Sequence, residues 1–215
     1  MPEAFPARVA VRGVGRVVRP PDVADLTLVF EATRPTATEA RDIGATTAAR
    51  VIAAVKGAGV GNADIRTAGI DLQPAWEHDD RGRASRIGFT ITHRIAARVR
   101  DLDAVGRILD AGLDAGATGV DAVTLGIADA TAAETDARAL AVADARQRAE
   151  TIARAAGTSL GRLISLSEGV TLPPPNPRGF KEMRFAMAAD ASTPVEAGTL
   201  EVSVAIEATW ELAGG

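Results

Sequence analysis

Of the two histidines in this sequence, His93 stands in the more informative context. It alternates with Phe89 and Ile91 in a strand pattern, so the three side chains share one face of the strand. A histidine on an apolar face is more often a packed residue than a reactive one. We therefore expect a satisfied buried or interface histidine, with a role as metal ligand or general base as the alternative.

The second histidine, His78, lies in a polar stretch that predicts a hairpin tip. Three acidic residues surround it in the sequence, namely Glu77, Asp79 and Asp80. Such a run could bind a metal ion adventitiously. Adjacent residues in one loop seldom form a closed coordination site, so the pattern predicts no dedicated metal centre.

Two pairs of carboxylates have the spacing that acid–base catalysis could use: Asp101 with Asp103, and Asp110 with Asp114. On a helix these residues more plausibly cap the first turn and face water. No neighbour suggests the raised pKa that a general acid needs, and no G-x-S-x-G motif is present. The sequence thus predicts no catalytic residue, no cofactor-binding residue, no metal ligand and no cofactor.

A pair of glycines, Gly13 and Gly15, invites comparison with a nucleotide-binding loop. The third glycine of that motif is missing, and a strand rather than a helix follows. We expect the two glycines to mark a bulge or a close approach of another backbone.

The composition narrows the class of protein further. The chain has 215 residues, no cysteine, no tyrosine and a net charge of −4. Absence of cysteine excludes disulfides and thiolate chemistry, and an acidic chain with few aromatic residues argues against nucleic-acid binding.

The location of the protein is predicted from the same sequence. The first residues lack a basic segment followed by an apolar run, and no stretch approaches the roughly 20 apolar residues of a membrane helix. As written, the sequence predicts a soluble cytoplasmic protein without stable membrane insertion. If a leader has been removed, a periplasmic or extracellular location is expected instead.

Helix signals are clear at two places. Thr36 with Glu39, and Thr131 with Glu134, fit the capping-box spacing. The second signal begins a long helix over 129–157, which Gly157 ends. Its buried stripe is expected to contain Leu140, Ala141, Ala145, Ala149, Ile152 and Ala156.

Strand signals complete the predicted fold. An N-terminal hairpin is expected over 7–34, and the order of elements over 25–127 is β-α-β-β-α-β, typical of a split βαβ sandwich. The final strand, 200–212, alternates most regularly. The sequence predicts an α+β fold, a single domain over 1–215, with an antiparallel sheet, the long helix and C-terminal strands.

An irregular segment at 171–199 separates the last two strands. Four prolines stiffen its start, and Phe180, Met183, Phe185 and Met187 follow. Long loops are often functional. Three interpretations stay open: a surface excursion packing its own phenylalanines, an arm that docks on a neighbouring subunit, or a transient membrane contact.

Several short stretches together resemble the SIMPL-domain family, which includes bacterial periplasmic immunogenic and oxidative-stress-defence proteins. They are VRGVG at 11–15, PD at 21–22, AG at 58–59, DIRT at 64–67, VRDLD at 99–103, LDA at 109–111, AG at 115–116, ALAVADA at 139–145 and AAG at 155–157. The resemblance implies an α+β subunit that assembles into large rings or channel-like oligomers. It carries no catalytic residues over to this chain.

Two hypotheses about function follow. The first is a non-enzymatic protein of stress-related role that forms a homo-oligomer, through residues 171–199. The second is a small-molecule-binding or enzymatic domain with a site between sheet and helices. A deep pocket lined by Arg94, Arg98 or His93 would favour the second hypothesis.

Overall fold

The computed structural model describes residues 7–80, 82–169 and 198–213. They form two compact units. The central unit contains residues 21–128. The terminal unit contains residues from both ends of the chain, 7–20, 129–169 and 199–213.

Seven strands and three helices make up the described chain, which confirms the α+β class. In chain order they are β1 Arg8–Arg19, β2 Val23–Arg34, α1 Ala37–Gly57, β3 Ile65–His78, β4 Ala84–Val99, α2 Val105–Asp114, β5 Gly119–Gly126, α3 Thr131–Ala155, β6 Ser159–Glu168 and β7 Leu200–Ala213.

The central unit has the predicted β-α-β-β-α-β order, and its four strands form one antiparallel sheet in the order β3-β4-β2-β5. Helices α1 and α2 pack against each other and over β2, and α1 also packs over β4. Apolar residues of β2 and β4 that point to the helices form the core with the helix residues Val51, Val55, Val105 and Ile108.

The predicted N-terminal hairpin over 7–34 is wrong. β1 pairs along its whole length with β7, whereas β2 pairs with β4 and β5. The connection between β1 and β2 begins with Pro20 and Pro21, and consecutive prolines favour an extended backbone. The chain therefore does not turn back on itself there, and β1 finds its partner almost 200 residues later.

The terminal unit is a three-stranded antiparallel sheet in the order β1-β7-β6, covered on one face by α3. The buried stripe of α3 consists of alanines at intervals of four: Ala133, Ala137, Ala141, Ala145, Ala149 and Ala153. The predicted stripe is thus wrong at Leu140 and Ile152, which are about half exposed, and at Ala156, which is also exposed.

Gly13 and Gly15 explain why that stripe is made of alanine. A Cβ built on Gly13 would lie 2.6 Å from the backbone nitrogen of Ala145, and one built on Gly15 would lie 2.5 Å from that of Ala141. The helix and the strand approach so closely that neither surface has room for a larger side chain. The prediction of a close backbone approach at these glycines is confirmed.

The two predicted capping boxes have different outcomes. At α1 the box forms, because the Glu39 amide donates to the Thr36 hydroxyl and the Thr36 amide donates to the Glu39 carboxylate, each at 3.2 Å. At α3 Thr131 is already the first helical residue, and Asp129 accepts its amide at 2.9 Å. The side chain that accepts a backbone amide at the start of α3 is therefore Asp129, two residues before the predicted Thr131.

We expect Gly15→Ala to destabilise the terminal unit by at least ~2 kcal/mol, because the new methyl group would overlap the α3 backbone. In an ordinary strand the same change would stabilise by about 0.5–1 kcal/mol. Urea unfolding followed by the fluorescence of buried Trp210 measures the effect, with Trp76→Phe in every protein so that one tryptophan remains.

Ala10→Val is the matched control, since Ala10 lies exposed in the same strand, and its effect should stay within about 0.5 kcal/mol. Equal or higher stability of Gly15→Ala would contradict the close packing described here.

Candidate interaction surface

His93 lies beneath α1 in the central sheet. It is 7% exposed, and in the neighbouring strands its partners are Phe30 and Ile70. A Cβ added at Gly44 of α1 would lie 3.1 Å from the Cδ2 and Nε2 atoms of the imidazole. The expected burial is therefore observed, and the ring is packed directly against the helix backbone.

No hydrogen bond to the His93 ring is made within the described part of the chain. The surroundings are apolar, and burial lowers the pKa of the imidazole because the charged form would lose its hydration. The expectation that this histidine is buried is confirmed. Its ring nitrogens are not buried atoms left without a partner, since the described residues contain no such atom. A neutral ring packed as an apolar group fits these surroundings.

The structure does not bring His93 together with Arg94 and Arg98. Successive strand residues point to opposite faces, and both arginines lie on the face away from the helices. There Arg94 pairs with Asp121 at 3.0 Å, and Arg98 forms a two-pronged pair with Asp25 at 2.8 and 3.0 Å. Hydrogen bonding to Arg98 lowers the pKa of Asp25.

The other acidic candidates have local structural contacts. Asp101 accepts the amide of Asp103 at 3.2 Å and so begins the turn before α2, as the capping interpretation predicts. Asp79 accepts the amide of Arg83 across the hairpin end at 2.8 Å. Among the residues that the structure describes, no three acidic or histidine side chains converge as a metal site would require.

A strip of apolar side chains on β3 is left uncovered. Ile70, Leu72 and Trp76 point to the helix side of the sheet, as the alternation predicts, yet they are 62%, 41% and 56% exposed. Helix α1 lies over β4 and β2 and only touches β3. We call these three residues the β3 strip; single exposed apolar residues are ordinary, but a contiguous group indicates an interaction site.

The terminal unit has a comparable feature on β6. Leu163 and Leu166 pair with Trp210 and Ala208 of β7, whose side chains point towards α3. Both leucines are about half exposed, because α3 lies mainly over β1 and β7. We call this pair the β6 strip. In each unit, then, the helix layer leaves one edge strand with apolar residues facing water.

The edge of β1 is treated differently. The amide of Val14 donates to the Asp144 carboxylate of α3 at 2.9 Å, and Arg148 holds the same carboxylate at 2.9 Å. The Val14 amide, followed by Arg148, lowers the pKa of Asp144. A side chain thus takes up an edge amide that could otherwise pair with another strand.

The clefts along this edge are shallow. One of about 650 Å³ lies between β1 and α3 and is lined by Arg12, Gln147, Thr151 and the Asp144–Arg148 pair, among others. Asp144 and Arg148 form an ion pair within it, and its lining contains neither His93 nor the arginines of β4. It does not correspond to the predicted pocket between sheet and helices.

Residues 9–210 match the family model SIMPL, described as a protein of unknown function (DUF541). The chain belongs to the SIMPL family. The match spans residues of both structural units. None of the helices in the described residues is long and apolar enough to cross a bilayer.

Two relatives illustrate the range of similarity. The 26 kDa periplasmic immunogenic protein of Brucella abortus is 35% identical over 213 residues, covering 96% of this chain and 85% of the Brucella protein. The uncharacterized protein YggE of Escherichia coli K12 is 27% identical over 199 residues, covering 93% and 78% of the two chains. The name of the Brucella protein gives the predicted cytoplasmic location no support.

We expect the stability of the central unit to fall as the pH is lowered from about 7.5 to about 5, because of His93. Its pKa is lower in the folded chain than the ordinary value of about 6.5. Below that value the unfolded chain binds a proton that the folded chain excludes, so acid favours unfolding. Chemical denaturation at both pH values, followed by circular dichroism, measures the loss.

His93→Leu should reduce this pH-dependent loss, since leucine does not titrate and fits an apolar site. His78→Gln is the control, because it removes the other histidine, at the exposed end of β3, and should leave the loss unchanged. The assignment fails if His93→Leu and the parent protein lose equal stability over this range.

Proposed function

We propose that this protein is a non-enzymatic periplasmic component that works as a homo-oligomer. The periplasmic part of the proposal rests on the name of the Brucella relative, with which the chain shares 35% identity over almost its whole length. The assembly part rests on the surface of this chain.

The observation that carries the proposal is the pair of uncovered apolar strips. Among the described strands each lies at the edge of its sheet, where an edge strand combines its side chains with backbone groups that can pair with another strand. Burying such surface against another protein is favourable by about 25 cal/mol per Å² of apolar area. A second copy is the simplest source of such a partner, since symmetric homo-oligomers are the commonest soluble assemblies.

The segment 171–199 is part of the same proposal. Residues 170–197 lie outside the described residues, so the argument here is one of composition. Phe180, Met183, Phe185 and Met187 provide large apolar side chains, and Arg178 and Arg184 lie among them in the sequence. We propose that this segment docks on a neighbouring subunit and strengthens the assembly.

A stress-related role belongs to the proposal as well, and it is supported only by the family resemblance. The chain has no cysteine, so reversible thiol oxidation cannot be the chemistry of such a role. A structural role in an assembly fits the described residues better than a redox reaction does.

Deleting residues 173–197 should lower the oligomer mass while leaving the folded units intact. β6 and β7 are antiparallel neighbours, and the residues remaining between them are enough for a short connection. Light scattering after size-exclusion chromatography gives the mass of the full chain and the deletion. Fluorescence of Trp210, which lies in β7, is the control for folding.

A discrete species of several subunits for the full chain supports the assembly proposal, and a clean monomer contradicts it. An oligomer of unchanged size after the deletion would leave self-assembly in place and exclude the segment from it.

A further inference from the structure

Among the described strands, the outer edge of β3 has no neighbour. β3 is the first strand in the order β3-β4-β2-β5, and of these strands it pairs with β4 alone. In the described part of the chain, no side chain bonds to its outer backbone groups as Asp144 bonds to Val14. An edge strand of this length with apolar side chains is a template for another strand.

Resting on the proposed self-assembly, we propose that two copies of this chain join edge to edge through β3, in an antiparallel two-fold pairing centred between Ala68 and Gly69. The two sheets would then continue as one, with Ile70 and Leu72 of the β3 strip opposite Thr67 and Ile65 of the other copy. A two-fold interface of this kind uses the same surface on both subunits.

A β-bulge in β3 sets the centre of this pairing. Thr67 pairs with Ile95 and Gly69 with Arg94, so Ala68 is an extra residue. The bulge shifts the alternation: Ile65 and Thr67 point to the helix side before it, and Ile70 and Leu72 do so after it. Two copies of β3 can match helix-side residues on both sides of the bulge only if the two-fold axis lies near it.

Charge then selects the register. With the axis between residues 68 and 69, Arg66 of each copy lies opposite Asp71 of the other, and both are exposed on the outer face. Two neighbouring registers also match the faces. One would place Asp64 opposite Asp71, two like charges, and the other would place Arg66 opposite Gln73, which gives up the ion pair and sets Pro74 within the ladder. Opposite charges stabilise a cross-strand pair, whereas like charges destabilise it.

Two further features agree with this register. Ile65 lies opposite Leu72, which covers an apolar side chain of the β3 strip. The paired segment, 65–72, ends before Pro74, which has no amide to donate to a ladder. Trp76 and the hairpin end stay outside the paired segment.

Cysteine trapping tests the register directly, because the natural chain contains no cysteine. We expect the double variant Arg66→Cys/Asp71→Cys to form a covalent dimer under mild oxidation, seen on a non-reducing gel at twice the chain mass. Opposed residues of paired strands lie about 5 Å apart, within disulfide range. Residues 66 and 71 of one strand are about 16 Å apart, so an internal disulfide cannot form.

Three controls use the same chain. Arg66→Cys alone and Asp71→Cys alone should remain monomeric on the gel. In the proposed register residue 66 of one copy faces residue 71 of the other, so the two identical cysteines would lie five residues apart along the strands. Arg66→Cys/Gln73→Cys moves the second cysteine two residues along the same face of β3, away from the position that faces residue 66. It should give several-fold less dimer. Equal dimer from all four variants would indicate random collision and overturn the proposal.

Charge reversal provides a test without cysteines. Arg66→Asp should lower the dissociation midpoint of the oligomer on dilution, and Arg66→Asp/Asp71→Arg should restore it. If light scattering finds an oligomer but neither trapping nor reversal depends on this pair, β3 has another occupant and the inference fails while the proposed function stands. A monomeric parent with no trapped dimer overturns both.

Discussion

The width of a helix relative to the sheet beneath it determines which apolar strand residues of this protein stay exposed. A helix is about 10 Å across and strands are spaced about 4.8 Å apart, so one helix covers roughly two strands. The terminal unit sets one helix on three strands, and the central unit sets α1 and α2 over the middle of four. In each unit the helices lie away from one edge strand, β3 or β6, and contact it only slightly, so apolar residues of that strand stay exposed.

Close packing increases this effect in the terminal unit. Because Gly13 and Gly15 lack side chains, the alanine face of α3 settles almost onto the backbone of β1. The helix is thereby held towards the β1 side of the sheet, where Asp144 also takes up the Val14 amide. Because α3 lies towards β1, it covers little of β6, and the leucines of the β6 strip remain exposed.

In the central unit the same principle explains His93. Gly44 lets α1 approach the sheet closely enough to pack directly against the imidazole, and this burial lowers the pKa of the ring. The polar side chains of the same strand point to the other face, where they form ion pairs. The alternation of one strand thus separates the groups that a catalytic interpretation would have combined.

Local signals in the sequence determined the elements and much of their order. The capping box at Thr36, the β-α-β-β-α-β pattern and the alternation of the last strand depend on neighbours within a few residues, and the structure agrees with each. The sequence also indicated a close contact at Gly13 and Gly15. It could not indicate the pairing of β1 with β7, the exposure of the β3 strip or the exposed Leu140 of α3. These depend on which distant segment arrives at each position and how far a helix extends over a sheet, and only the tertiary structure decides both.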